Sequence, residues 1–182
     1  SFIAQSNFDA GKSIEIPLGD SSLFKLFIGK RVLKKELIVP TGEIPLYSAN
    51  VFEPFGHVEK SNIKDFSYPA ILWAIDGNFD FNFLPAGQVF ATTDHCGTIQ
   101  ILDDTINPEY LLYALNQRRI EESFDRSFRS SLANIRQFVV KMPINKDGSF
   151  DIEKQKRIAE SFTGVKDKLK TLSEKKKQLD EV

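Results

Sequence analysis

The residues of this sequence best suited to chemistry are few and scattered. Asp94-His95 sets a carboxylate beside an imidazole, a pair that can work as general acid and base when a nucleophile lies within hydrogen-bond reach. Ser48, Ser130 and Ser131 are the hydroxyls on offer, and none stands in the sharp glycine-flanked turn that exposes a nucleophilic serine. Glu174-Lys175-Lys176 has the Glu-x-Lys spacing that metal-dependent nucleases combine with a further acid, but it falls in a charged run near the end of the chain. His57, His95 and Cys96 are the only soft metal ligands, and neighbours such as His95 and Cys96 rarely reach one ion, so no metal site is expected. Gly56, Gly77, Gly87 and Gly97 stand alone rather than in a phosphate-cradling run. Hydrolysis and nucleotide chemistry have no visible machinery here.

A second set of residues suits binding. Lys25, Lys30, Arg31, Lys34 and Lys35 form one basic cluster and Arg118, Arg119, Arg126, Arg129 and Arg136 another. Reading DNA requires cations on phosphates and short polar side chains aimed at base edges. For the phosphate role Lys30, Arg31, Arg126 and Arg129 are favoured, because Gly29, Ser127, Ser130 and Ser131 beside them suit close backbone approach. The alternative is a pair of ordinary solvated faces. Base readers belong on loops, which points to Tyr47, Ser48, Asn50, Asp76, Asn78, Thr93, Asp94 and His95. Asn50 and Asn78 can bond an adenine, Asp76 or Asp94 can accept from a cytosine amino group, and Tyr47 can stack or bind phosphate. Core packing competes for Tyr47 and Trp73, and a plain turn for Asp76-Gly77.

Composition narrows the setting. In 182 residues, 24 Lys and Arg oppose 25 Asp and Glu for a net charge of -1, which argues against indiscriminate coating of nucleic acid. The length suits one core plus an appendage, and 16 Phe favour a mixed or β-rich interior. One cysteine permits no internal disulfide, and no apolar run or leader pattern marks a membrane or export signal, so a soluble cytoplasmic protein is expected. The first residue is Ser1, not Met, which suggests an excised piece.

The elements that must position these residues divide in two. Residues 1 to about 17 read as irregular. Short apolar runs follow at Leu23–Ile28, Ile44–Tyr47, Ala70–Ile75, Gln88–Ala91 and Thr98–Leu102, with turn residues at Pro40-Thr41-Gly42, Asp76-Gly77-Asn78 and Pro85-Ala86-Gly87 between them. Asn107 and Pro108 open a helix that ends near Phe124, and Phe138–Val140 is a last strand closed by Met142-Pro143-Ile144. Asn107-Pro108-Glu109-Tyr110 superficially matches the Asn-Pro-Pro-aromatic motif of amino-group DNA methyltransferases, but Glu replaces the second Pro and a helix cap accounts for it better. After the turn Asn145-Lys146-Asp147-Gly148, apolar residues recur at Ile158, Phe162, Val165, Leu169, Leu172 and Leu179 in steps of four, three, four, three and seven. That is a heptad seam, with Lys176 at the skipped position, and it predicts a helix from Asp151 to Val182 of ~48 Å. The expectation is α+β: a mixed, β-rich recognition domain over 1-146 and one long C-terminal coiled-coil helix over 147-182. A helix folded back on its own domain is the alternative.

With these stretches in view, the sequence resembles the specificity subunit of type I restriction-modification systems, or the target recognition domain of fused restriction-methylation enzymes. Ile44-Pro45-Leu46-Tyr47-Ser48-Ala49-Asn50-Val51-Phe52-Glu53-Pro54-Phe55-Gly56, Ala70-Ile71-Leu72-Trp73-Ala74-Ile75-Asp76-Gly77 and Phe90-Ala91-Thr92-Thr93-Asp94-His95-Cys96-Gly97 carry the resemblance in order and spacing over about 18 to 144. It implies a domain that reads one half of a split target in double-stranded DNA and a helix that pairs as a coiled coil and docks methyltransferase subunits. Catalysis is then expected in partners, with S-adenosylmethionine bound there and no cofactor in this chain. The family's common form has two recognition domains and two spacer helices, while this chain has one of each. That leaves a half-sized subunit, a homodimer or a fragment of a fusion, and in each the helix is expected to pair with a second copy or with another spacer helix. The competing reading is a non-catalytic coiled-coil adaptor that never touches DNA.

Overall fold

The computed structural model describes residues 11–37, 42–121 and 130–180. Its centre is an antiparallel four-stranded sheet in the order β2 (Phe24–Ile28), β8 (Cys96–Ile101), β5 (Ala70–Ala74), β6 (Phe81–Leu84). β5 pairs on both edges and is buried along its whole length, which explains why its sequence AILWA has no polar residue. Side chains alternate across it: Ile71 and Trp73 enter one apolar cluster, and Ala70, Leu72 and Ala74 the other. The first cluster lies under α1 (Pro108–Glu121), α2 (Leu132–Gln137) and the pair formed by β1 (Ser13–Pro17) and β9 (Val139–Pro143). The second lies under a three-stranded sheet of β4 (Gly56–Val58), β3 (Ile44–Tyr47) and β7 (Ala91–Thr92). Opposite Trp73 stands Gly97, where an added Cβ would come within 2.2 Å of the indole, so glycine is what lets that ring lie flat on β8.

Expected elements are present with shifted ends. Ile44–Tyr47 matches, Ala70–Ala74 and Phe24–Ile28 lose a residue each, and the run at Gln88–Ala91 yields only the two-residue β7. Residues 13–17, expected to be irregular, form β1, whose partner lies at residues 139–143. Only Ile16 of that strand is buried, and its Ser-Ile-Glu-Ile-Pro alternation is too short to stand out from a loop. β4, β6 and α2 were likewise not expected. α2 starts where the Ser131 hydroxyl accepts the Asn134 N–H, an N-cap that the helix's short run of six residues concealed.

α1 begins as expected. The Asn107 side-chain oxygen accepts the Tyr110 N–H at 2.8 Å, and the Asn107 carbonyl accepts from Leu111 at 2.9 Å. α3 (Ile152–Asp180) is capped by Asp151, whose carboxylate accepts the Lys154 N–H at 3.0 Å. Its first turns are rooted in the body by Gln155, which is wholly buried. That side chain accepts from the Asn107 N–H at 2.7 Å and donates to the Thr105 carbonyl at 2.9 Å. Ala159 is the last buried residue of α3, and residues 160–179 are exposed without exception. The helix thus projects from its body, and the folded-back alternative fails.

Candidate nucleic-acid interface

Five chain segments meet at one end of the central sheet. β2 runs out at Ile28, beside Gly97 of β8, and the Gly29 N–H reaches the Cys96 carbonyl at 3.4 Å. β3 ends at Tyr47, whose carbonyl accepts the Thr93 N–H at 2.9 Å, and the Thr93 hydroxyl donates to Ser48 Oγ at 2.8 Å. β5 ends at Ala74, where the Ile75 N–H donates to the His95 carbonyl at 3.1 Å and the His95 ring meets Asp76 through Nδ1. The last segment begins at Ser130, whose hydroxyl donates to the Ala74 and Ile75 carbonyls at 2.6 and 3.1 Å, while its own carbonyl accepts from the Trp73 indole at 2.8 Å. Residues 29–31, 48–50, 76–78, 93–95 and 130 are therefore one neighbourhood, although they span most of the sequence.

Within it the expected site residues separate into two kinds. Lys30, Arg31, Asn50, Asp76, Asn78 and His95 are exposed and Asp94 is half-buried. Tyr47, Ser48, Thr93 and Ser130 are buried. The reading of Tyr47 as a stacking or phosphate-binding group is corrected: its ring packs edge-on against Phe90, and burial, with Cys96 nearby, raises its pKa. Ser130 is a pin for the strand end and Thr93 a link between loops, so neither hydroxyl is open to a base. Asn50 is corrected too. Its side-chain oxygen accepts the N–H groups of Phe52 and Glu53 at 2.9 and 3.2 Å, which occupies the acceptor that a bidentate contact to adenine needs. Gly77, at φ +80, makes the Asp76-Gly77-Asn78 turn, a conformation that leaves Asp76 and Asn78 outside.

The basic residues also sort. Gly29 does not serve approach to an outside partner; a Cβ there would lie 2.0 Å from the Thr92 carbonyl oxygen, so its bareness lets the end of β2 cross the Thr92-Thr93 backbone. Lys30 and Arg31 follow directly and are exposed. The second basic cluster is not one face. Arg119 is spent on the Phe79 carbonyl and the Asp80 carboxylate at 2.7 and 2.8 Å, Arg118 approaches Glu15 of β1, and the Arg136 carbonyl accepts from Gly19 at the other end of β2. Arg126 and Arg129 lie outside the described residues.

Catalytic readings find no support in the geometry. His95 pairs with Asp76 rather than with a serine, and lies 3.7 Å from Asp94. Burial pushes the Cys96 thiol up to about 12, which leaves it inert. No cluster of three or more metal-ligating side chains occurs among the described residues. A cleft of about 260 Å³ between α1, β9 and the root of α3, lined in part by Tyr113, Arg118, Lys141 and Ile158, touches none of the loop residues. Sequence reading missed the groups that hold the loops: Asn62, which bonds Thr92 through both ends of its amide, and Asn82, which donates to the Val51 carbonyl at 2.8 Å. Neither sits in a pattern that distinguishes it from a surface amide.

The family model for the type I restriction modification DNA specificity domain matches residues 16–181. The chain belongs to this family. Its fold is that of solved type I specificity chains. The S subunit of the type I restriction-modification system from M. genitalium is similar with 20% identity and a TM-score of 0.62, over 92% of this chain and 42% of that one. The HsdS subunit from Thermoanaerobacter tengcongensis is similar with 14% identity and a TM-score of 0.65, over 91% of this chain and 40% of that one. This specificity-domain chain thus spans about two fifths of the length of the solved chains it matches. No curated protein matches it. No helix among the described residues is long and apolar enough to cross a membrane.

Proposed function

We propose that this chain is the sequence-specific DNA recognition component of a type I restriction-modification system, that it reads one half of a split target, and that its arm docks the methyltransferase and restriction subunits. The observation that carries the reading is the convergence of exposed polar groups from four segments on one end of a rigid sheet. Lys30 and Arg31 hold phosphates there, with Arg126 and Arg129 proposed for the same role, and Asp76, Asn78, Asp94 and His95 face base edges. The recognition domain extends over 1-146 and the spacer helix over 147-182. Phe162, Val165, Leu169, Leu172 and Leu179 are 40 to 77% exposed along one seam, and a second copy of the helix or another spacer helix covers them. Adenine methylation, with its S-adenosylmethionine, belongs to partner subunits in the cytoplasm.

The test is selection from a random duplex pool at low salt, with the bound fraction sequenced. Enrichment of one short motif is the expected result. A pool that stays random while the chain still self-associates refutes DNA reading and leaves a coiled-coil adaptor.

A further inference from the structure

His95 is held at the loop end through both its backbone and its ring. Its N–H donates to Thr93 Oγ1 at 3.2 Å, its carbonyl accepts from Ile75 at 3.1 Å, and its Nδ1 meets Asp76 Oδ2. Thr93 in turn bonds Ser48, so the ends of β3, β5 and β7 all bear on one imidazole. Half of that side chain, 51%, is nevertheless open to solvent. An imidazole that faces a carboxylate through Nδ1 keeps its proton on that nitrogen, since two lone pairs repel. In its neutral form the ring then presents a lone pair at Nε2.

Among the described residues no donor is hydrogen-bonded to Nε2. Asp94 Oδ1 lies 3.7 Å away, too far for a hydrogen bond, and is buried with no hydrogen-bond partner. Two acceptors stand side by side, and what complements them is an N–H group from outside. In the major groove the N–H groups are the exocyclic amino groups of cytosine and adenine, whereas guanine O6 and thymine O4 would set lone pair against lone pair.

We infer that His95 is a specificity-determining residue that accepts a hydrogen bond at Nε2 from an exocyclic amino group, cytosine N4 or adenine N6, and that Asp76 is the positioning residue that fixes its tautomer. This deepens the DNA-reading function proposed above and rests on it. Asp76 Oδ2 is engaged by the ring, which gives this carboxylate a positioning part beside any contact of its own.

The test compares wild type, His95→Ala, Asp76→Ala, the double variant that combines these two changes, and Asp76→Asn in the duplex-pool selection. Wild type yields a motif; His95→Ala relaxes one position of it, Asp76→Ala relaxes the same position, and the double variant relaxes nothing more. Asp76→Asn keeps the preference, since an amide oxygen still accepts from Nδ1. At that position, replacing adenine by purine, or cytosine by pyrimidin-2-one, removes only the amino group. Wild type then binds roughly tenfold more weakly, and His95→Ala binds both duplexes alike. The inference is overturned if wild type yields a motif that His95→Ala leaves intact, or if 7-deazapurine rather than amino removal weakens binding, which would make the ring a donor. No motif from wild type overturns DNA reading itself, a separate outcome.

Discussion

The loop end and the arm both face solvent, and they expose opposite chemistry. At the loop end the outward groups are Lys30, Arg31, Asp76, Asn78 and His95, and the backbone beneath them is tied down by bonds between segments. On the arm the outward groups of the seam are apolar and exposed, and past Ala159 the ring of Phe162 meets Tyr113 of the body at 5.1 Å. The two are also kept apart. β8 leaves the loops at Cys96 and runs six residues, ~20 Å, toward Thr105 and Asn107, where Gln155 roots the arm. In the proposed reading, one surface is preorganised for a polar, charged partner and the other is half of a core that a second helix completes.

The largest expected effect breaks this comparison at its foundation. Trp73→Ala removes a wholly buried indole and its bond to Ser130, so urea unfolding should show a loss of about 3–5 kcal/mol in body stability. A loss under about 1 kcal/mol would mean that the loop end does not rest on the sheet core. Next comes the seam. Leu169 and Leu172 are 61 and 62% exposed, so changing both to Asp should leave the body's unfolding midpoint in place while weakening self-association or helix pairing about a hundredfold by sedimentation, roughly 2.7 kcal/mol. Unchanged association would move the contact surface off the arm.

How far the sequence alone discloses this molecule follows from how local each signal is. The heptad seam and the Asn107 cap are readable because a helix brings together residues three and four apart, and the same holds for the buried run of β5. β1 is unreadable because its partner is more than a hundred residues away and only Ile16 enters the core. The candidate site was legible as a set of loops but not as a division of labour. Tyr47 and Ser130 have the types that touch nucleic acid, and whether they face out depends on which rings and carbonyls the fold sets beside them. Arg119 reads as one more cation until Asp80 is placed 2.8 Å away.

A smaller effect probes the root of the arm. Gln155→Ala leaves the Asn107 N–H and the Thr105 carbonyl unpaired in a buried place, at a cost of about 1–2 kcal/mol. Hydrogen exchange should quicken at the start of α1 and α3, and the loop end should keep its motif in the duplex-pool selection. A changed motif would show that the two ends of β8 are coupled.

The smallest effect asks whether the polyanion stays at the loop end. Lys30 and Arg31 emerge just past Gly29, where the backbone crosses Thr92-Thr93, so their charges stand beside the proposed base-reading loops. Each neutralised phosphate releases counterions, and the slope of log affinity against log salt changes by about 0.9 per contact. Lys30→Ala and Arg31→Ala should each flatten that slope by about one, with the preferred sequence unaltered. Lys146, exposed in the turn that leads to α3, is the matched control, because DNA held at the loops does not extend to the arm's root. If Lys146→Ala flattens the slope as much as Lys30→Ala does, the nucleic acid follows the body from one end to the other, and the separation of a DNA-reading end from a helix-pairing arm fails.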